Sequence, residues 1–147
     1  MESQNFLPVV RELARCYQAF ESYSSRQVRS LGLTSSQFDI IATLGNTEGM
    51  TFKQLGDMTL ITKGTLTGVV DRLAAKQLVK RTASPNDGRS QIVQLTDAGQ
   101  AMFERVFPAA LDHLGKAFAG MSATELGKTQ NILQELTKRF KREMKMD

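Results

Sequence analysis

The sequence of 147 residues is poor in the side chains on which most catalytic and metal centres depend. Its one cysteine, Cys16, excludes an intramolecular disulfide and a zinc site built from several cysteines. Its one histidine, His113, excludes a metal site with several histidine ligands and argues against a His-based catalytic triad. We therefore expect no metal, no cofactor and no catalytic residues, and the chain is predicted not to be an enzyme.

Long hydrophobic runs are lacking as well. No stretch approaches the roughly 18–20 apolar residues that a membrane-spanning helix needs. The first ten residues have no basic segment followed by a long apolar core, so no signal peptide is predicted. Hydrophobic residues make up 41% and charged residues 23% of the chain, which is typical of a folded soluble protein. Together these features predict a cytoplasmic protein whose residues 1–147 form a single domain.

The excess positive charge is concentrated in the middle of the chain. The net charge of +4 comes from 19 basic and 15 acidic residues. Residues 51–90 contain seven basic and three acidic side chains, so the whole excess lies in this window. A concentrated positive charge indicates a polyanionic partner such as nucleic acid. An ordinary solvated surface would explain the same charge, and charge alone does not separate the two.

Apolar residues at steps of three and four predict several helices. The first begins near residue 6 or 7, with Pro8 in its first turn, and ends at Gly32. The starts of three later helices are predicted by capping boxes, in which a Ser or Thr is followed three residues later by Gln or Glu. These boxes are Thr34–Gln37, Thr51–Gln54 and Ser122–Glu125. A further helix follows Thr62, which is well placed to cap it.

The pattern changes to that of strands between Leu78 and Leu95, around a tip rich in turn formers. A short helix, a turn, a second helix and a basic hairpin are typical of a winged helix-turn-helix. The predicted fold is mainly α with a small β-hairpin wing. We expect residues 34–96 to form the DNA-binding portion. Residues 1–33 and 97–147 are long amphipathic helices whose apolar stripes need a partner surface, which predicts a homodimer.

At this point the sequence resembles the MarR (multiple antibiotic resistance regulator) family of bacterial transcriptional regulators, over nearly the whole chain. One matching segment runs from Asp87-Gly88-Arg89-Ser90 through Leu95-Thr96-Asp97-Ala98-Gly99, like the family wing. The other is Thr62–Leu73 followed by Leu78–Arg81, similar to the family recognition helix and first wing strand. The resemblance implies a ligand-responsive, sequence-specific DNA-binding repressor, which binds double-stranded DNA at a pseudo-palindromic operator as a homodimer.

The resemblance assigns a DNA contact to several residues. The start of a recognition helix enters the major groove, so Thr62, Lys63, Thr65 and Thr67 are expected to face DNA. The wing residue Arg89 is expected to enter a narrow minor groove, with its guanidinium held by Asp87. Phosphate contacts are expected from helix-start groups and from one arginine, although capping or bracing would explain them equally well: Ser35, Ser36, Thr51, Lys53, Gln54 and Arg72.

The resemblance also implies a small phenolic or anionic effector, bound between the dimerisation helices and the winged module. Aromatic residues at helical spacing are more often simply core. The residues expected to line this pocket are Arg15, Tyr17, Phe20, Tyr23, Phe38, Ile41, Phe107 and His113.

Two alternative functions stay open. The first is a winged-helix protein-interaction module without sequence-specific DNA binding, against which the basic window and the intact wing argue. The second is a thiol-based redox sensor acting through Cys16. No neighbouring cation other than Arg15 is evident to lower the thiol pKa, so we expect Cys16 to be buried and unreactive.

Overall fold

The computed structural model describes residues 5–59, 61–86 and 88–145, so that Asp87 of the predicted wing lies outside the described residues. The chain divides into two compact units, one ending at Leu114 and the other beginning at Gly115. The described elements are six helices and three short strands: α1 (Leu7–Ser30), α2 (Ser35–Leu44), β1 (Met50–Thr51), α3 (Phe52–Thr59), α4 (Lys63–Ala75), β2 (Val79–Ala83), β3 (Gln91–Leu95), α5 (Asp97–Phe118) and α6 (Ala123–Met144). No helix in these ranges is long and apolar enough to cross a membrane.

The predicted capping boxes are confirmed. At the start of α2, the Gln37 amide donates to the Thr34 hydroxyl over 3.2 Å, and the Thr34 amide donates to the Gln37 side chain over 3.1 Å. Thr51–Gln54 and Ser122–Glu125 make the same reciprocal pair of bonds. Thr62 occupies the N-cap position of α4, but its side chain makes no capping bond. Its hydroxyl instead lies 3.1 Å from the Thr65 hydroxyl.

The wing is part of a three-stranded antiparallel sheet with the order β1-β3-β2. Strands β2 and β3 pair from Val79 opposite Leu95 to Ala83 opposite Gln91, as the predicted hairpin requires. The third strand, β1, pairs Met50 with Val93 and was not predicted. It has two residues, which is too short to show the alternation by which a strand is read from sequence.

The hydrophobic core lies within the first unit. It joins α2, α3, α4, the sheet and the first half of α5, with fully buried side chains at Ile40, Ile41, Leu55, Val70, Leu73, Val93 and Val106. In the second unit, none of the described residues is buried. Its helix α6 carries large apolar side chains in the open, among them Ile132, Leu133 and Phe140, which are 62%, 50% and 52% exposed.

The Leu-Thr-x-x-Gly segment that closes the wing has a structural explanation. The Thr96 hydroxyl accepts a hydrogen bond from the Gly99 amide over 3.0 Å, which caps α5, and it donates to the Gln77 carbonyl over 2.6 Å. The Thr96 amide also donates to the Leu78 carbonyl. A Cβ atom at Gly99 would lie 2.0 Å from that same carbonyl oxygen. Only glycine therefore allows the first turn of α5 to pack this closely on the start of the wing.

We expect Gly99→Ala to destabilise the protein by about 2 kcal/mol or more, because the added methyl must push α5 away from the Leu78 backbone. The measurement is urea unfolding followed by circular dichroism. Gly115→Ala is the matched control, since a Cβ at Gly115, also in α5, would meet nothing within 4 Å. Equal stability of the two variants would contradict the packing role of Gly99.

Candidate nucleic-acid interface

The helix α4 buries one face and exposes the other. Leu66, Val69, Val70 and Leu73 point into the core, at spacings of three and four. The first turn of the opposite face is exposed and carries three threonine hydroxyls and one lysine: Thr62, Lys63, Thr65 and Thr67. The four predicted base-contacting residues are thus brought together at the helix start, on a surface that hydrogen-bonds readily and bears positive charge.

Two glycines lie on or beside this exposed face. A Cβ at Gly64 would meet nothing within 4 Å, and one at Gly68 would meet only the end of the Arg72 side chain at 4.0 Å. Packing inside the chain therefore does not require either glycine. Each costs helix stability relative to alanine, about 1 kcal/mol in a helix interior. Both positions leave room for another molecule to approach the helix closely.

Two grooves that share Lys53 adjoin each other beside α3, and the first of them also borders α4. The first, of about 670 Å³, lies between α3, α4 and the sheet, and its lining includes Lys53, Lys63, Thr67 and Arg81 around apolar side chains. The second, of about 570 Å³, leads to the wing and is lined by Thr51, Lys53 and Arg89 among others. Lys53 belongs to both grooves, so that the helix start and the wing form one continuous cationic surface. Asp57 is the acidic residue in the lining of the first groove.

Of the other predicted DNA contacts, Lys53 and Thr51 line the grooves and the rest are dispersed. Thr51 and Gln54 are engaged in the capping box of α3, which is their structural role here. Ser35 lines a different cleft, between α1, α2 and α5. Arg72 is exposed near the end of α4 and lines neither groove, and Ser36 is half-buried at the start of α2.

Arg81 is a residue whose importance the sequence did not reveal. Its guanidinium forms an ion pair with Asp71 of α4 and lies over the Phe52 ring of α3, with the central carbon 5.3 Å from the ring centroid. Arg81 itself belongs to β2, so this one side chain connects three elements of the interface. The ion pair between Asp71 and Arg81 cannot be predicted from their spacing in the sequence, because one residue lies on a helix and the other on a strand.

The predicted effector residues separate into two groups. Phe20, Phe38 and His113 line a cleft of about 100 Å³ between α1, α2 and α5. Tyr23 adjoins it, since its ring stacks on His113 with centroids 3.9 Å apart and its hydroxyl donates to the His113 carbonyl over 2.6 Å. The remaining residues lie elsewhere: Ile41 is fully buried in the core, Phe107 stacks on Phe103, Arg15 pairs with Glu12, and Tyr17 is exposed.

The expectation of a buried Cys16 is wrong. The thiol is exposed on α1, because no other described element of the first unit covers the outward face of that part of the helix. Apolar neighbours on the same helix are exposed too, including Val10, Leu13 and Phe20.

Comparison with known proteins agrees with this architecture. Residues 31–90 match the family model described as MarR family. The chain is 27% identical over 124 residues to the transcriptional regulator MhqR of Bacillus subtilis, covering 84% of this chain and 86% of that protein. It is 32% identical over 98 residues to the transcriptional repressor NicR of Pseudomonas putida, covering 67% and 62%. A solved structure of BpsR from Bordetella bronchiseptica, whose DNA binding is regulated by 6-hydroxynicotinic acid, superposes with a TM-score of 0.80 at 25% identity, covering 91% and 96%.

The fold and the cationic surface thus define a winged helix-turn-helix protein of the DNA-binding class, in which α4 is the recognition helix and β2 and β3 form the wing. More narrowly, the chain belongs to the MarR family of transcriptional regulators. It is accordingly a regulator of transcription and not an enzyme.

We expect Gly68→Ala to change stability and DNA affinity in opposite directions. The alanine raises the free energy of unfolding by up to about 1 kcal/mol, because it favours the helix. Its methyl group also fills space that the approaching DNA would occupy, so affinity falls. Urea unfolding and fluorescence anisotropy of a bound duplex measure the two effects. Gly127→Ala, where a Cβ would likewise meet nothing within 4 Å, is expected to raise stability alone. Unchanged DNA affinity of Gly68→Ala would contradict the idea that this glycine allows DNA to approach the helix closely.

Asp39, on α2 in the lining of the cleft between α1, α2 and α5, predicts a pH dependence. Partial desolvation of the Asp39 carboxyl, and secondarily the Glu21 carboxylate, raise the pKa of Asp39 above its ordinary value of 3.8. The folded state therefore holds this proton more tightly than the unfolded state, and stability is lost as the pH rises through the interval above 3.8.

We expect Asp39→Asn to raise the midpoint of thermal unfolding at pH 7, where the wild-type carboxylate is charged. The gain should shrink towards zero below the ordinary carboxyl pKa, where the wild-type group is protonated in both states. Thermal unfolding across a pH series measures this, with Glu48→Gln as a control at an exposed carboxylate. A gain that is independent of pH would contradict the electrostatic explanation.

Proposed function

We propose that this chain is a homodimeric repressor that binds a pseudo-palindromic operator and releases it when a small effector binds. The observation that carries the proposal is the continuous surface formed by the hydroxyl-rich start of α4, Lys53 and the wing residue Arg89. In this arrangement each copy places α4 in one major groove, with half-sites about 10 bp apart. Arg89 enters the flanking minor groove, and Lys53 contacts the phosphates between them.

The exposed apolar side chains of the outer helices support the homodimer. On α1, Val10, Tyr17 and Phe20 are 47%, 62% and 45% exposed, and α6 carries a second such stripe. Apolar stripes along two long helices exceed the scattered exposure of a monomer and indicate an interface. A second copy offers the same stripes in return, as a two-fold symmetric contact requires. In this proposal residues 1–33 and 97–147 supply the dimerisation helices and residues 34–96 the DNA-binding portion.

Repression and effector release are supported by the relatives. NicR is a transcriptional repressor, and the DNA binding of BpsR is regulated by a small molecule. The cleft between α1, α2 and α5 is suited to such control. It adjoins α2, which packs against α4 on its other side, so a ligand that favours one arrangement of these helices shifts the population competent to bind DNA.

The test is fluorescence anisotropy of labelled DNA from the region upstream of the gene, against a scrambled duplex, across a salt series. We expect preferential binding with a steep salt dependence. Arg89→Ala should weaken binding about ten-fold or more and leave folding intact. Lys63→Ala should weaken it too, and an equal loss on both duplexes would identify Lys63 as a phosphate contact.

Lys128→Ala on α6 removes the same charge outside both grooves and is expected to have little effect. Unchanged affinity of Arg89→Ala would refute the assigned role of the wing. Equally weak binding to both duplexes, repeated on sequences selected from a random pool, would favour the protein-interaction module instead.

A further inference from the structure

We propose that Arg81 is a positioning residue for DNA reading, which fixes the rotation of α4 through Asp71 and the Phe52 ring and adds no charge to the contact with DNA. The inference rests on the DNA binding proposed above. It gives a role in specificity to a residue outside the predicted DNA contacts. The alternative is a phosphate contact, because Arg81 lines the same groove as Lys53 and Lys63.

The guanidinium of Arg81 is already engaged within the chain. It forms an ion pair with Asp71 of α4, and its central carbon lies 5.3 Å from the centroid of the Phe52 ring of α3. The Arg81 side chain is 28% exposed and its Nε atom is buried, whereas Lys53 and Lys63 are exposed. To bind a phosphate, Arg81 would have to leave the Asp71 carboxylate uncompensated beside the DNA. The two lysines are therefore better placed for phosphate.

The sheet holds the backbone of Arg81 in place. Its partner across the sheet is Val93, a fully buried residue of the central strand β3. Side chains alternate along a strand, so Arg81 projects to the same face of β2 as the buried Val79, and Lys80 projects to the opposite face. Arg81 therefore connects α4 to a point on the sheet that the core holds fixed.

The place of Asp71 on α4 decides what this connection restrains. Lys63, Thr67 and Asp71 follow one another at steps of four, so they lie along one side of the helix. Two of them are predicted base-contacting residues. A rotation of α4 by about 10° would move a side-chain atom about 6 Å from the helix axis by about 1 Å. Such contacts need placement to within about 0.5 Å, so a small rotation is enough to lose them.

The core face of α4 does not supply this precision alone. Leu66, Val70 and Leu73 are held by the hydrophobic effect, which is non-directional and opposes large rotations more than small ones. An ion pair made by a planar guanidinium over an aromatic ring fixes a direction as well as a distance. Arg81 thus adds the angular restraint that base reading requires.

The test removes the ion pair without changing the net charge. The double variant Asp71→Asn with Arg81→Gln loses one charge of each sign, so the overall attraction to DNA is kept while the connection is lost. Glu135→Gln with Arg139→Gln is the matched control, because it removes an ion pair of α6 outside both grooves in the same way. Thermal unfolding checks that both double variants fold, and a small loss of stability is expected from pairs with exposed members.

Fluorescence anisotropy is measured across a salt series on a scrambled duplex and on the duplex that the wild type prefers in a random pool. We expect the Asp71 and Arg81 double variant to lose affinity for the preferred duplex about ten-fold or more, with an unchanged salt slope and almost no change on the scrambled duplex. Equal loss on both duplexes, with a slope smaller by about one, would identify Arg81 as a phosphate contact and overturn the inference. No loss, or an equal loss in the control, would overturn it too.

Arg81→Lys is a second variant that tests the geometry of the group. It keeps the charge and the long side chain, but a single ammonium group lacks the planar fork that pairs with a carboxylate and stacks on a ring. We expect it to lose part of the preference between the duplexes. Full preference in Arg81→Lys would show that a charge suffices there and would overturn the positioning role.

Hydrogen exchange of the free protein separates this inference from the proposed function, because it needs no DNA. The Asp71 and Arg81 double variant should exchange the backbone amides of α4 faster than the wild type and those of α2 and α5 at the same rate. Unchanged exchange in α4 overturns the positioning role whatever the DNA result. Faster exchange in α4, together with a wild type that prefers no duplex, leaves the restraint on α4 standing and contradicts the proposed function.

Discussion

The burial of one face of α4 is the constraint on which the rest of the molecule depends. Leu66, Val70 and Leu73 are held in the core, so the helix cannot rotate without exposing them. That anchoring fixes which side chains point outward and leaves them free of any packing role. The Asp71–Arg81 ion pair and the Phe52 ring add a second attachment, from the wing and α3 to the flank of the same helix. Specific DNA reading needs such rigidity, because base contacts depend on where a few side chains stand.

Two features of the structure lower the stability of the folded chain. Gly68 weakens the helix although nothing inside the chain demands a glycine there. Asp39 bears a carboxylate whose charged form is disfavoured in the folded protein, beside a second carboxylate at Glu21. In the proposed function, Gly68 lies on the face that meets DNA and Asp39 lies beside the effector cleft. Departures from the most stable choice of residue are expected where a protein binds something, and these two positions fit that expectation.

The sequence was informative where local chemistry decides the structure. Capping boxes depend on residues three apart, so Thr34, Thr51 and Ser122 located helix starts correctly. The hairpin was visible because its strands and turn are contiguous. The third strand was missed because β1 is defined by its pairing with Val93, more than 40 residues away in the chain. Arg81 was missed for the same reason, since its partners come from α3 and α4. The exposure of Cys16 likewise depends on which elements cover α1, and a local sequence pattern does not predict that.

The position of α2 explains how one small unit could couple an effector to DNA. Ile40 and Ile41 on one side of this helix are buried in the core that also holds α4, while Phe38 and Asp39 line the cleft with α1 and α5. The two pairs are consecutive and span little more than one helical turn, so a shift of α2 would be felt on both sides of the helix. Close-packed cores respond to such a shift by moving as a unit and not by yielding locally. The helix α5 begins at the Thr96 cap beside the wing and reaches the same cleft at His113, so the cleft and the wing share one helix. In the proposed function, a ligand in this cleft would therefore act without touching either α4 or Arg89.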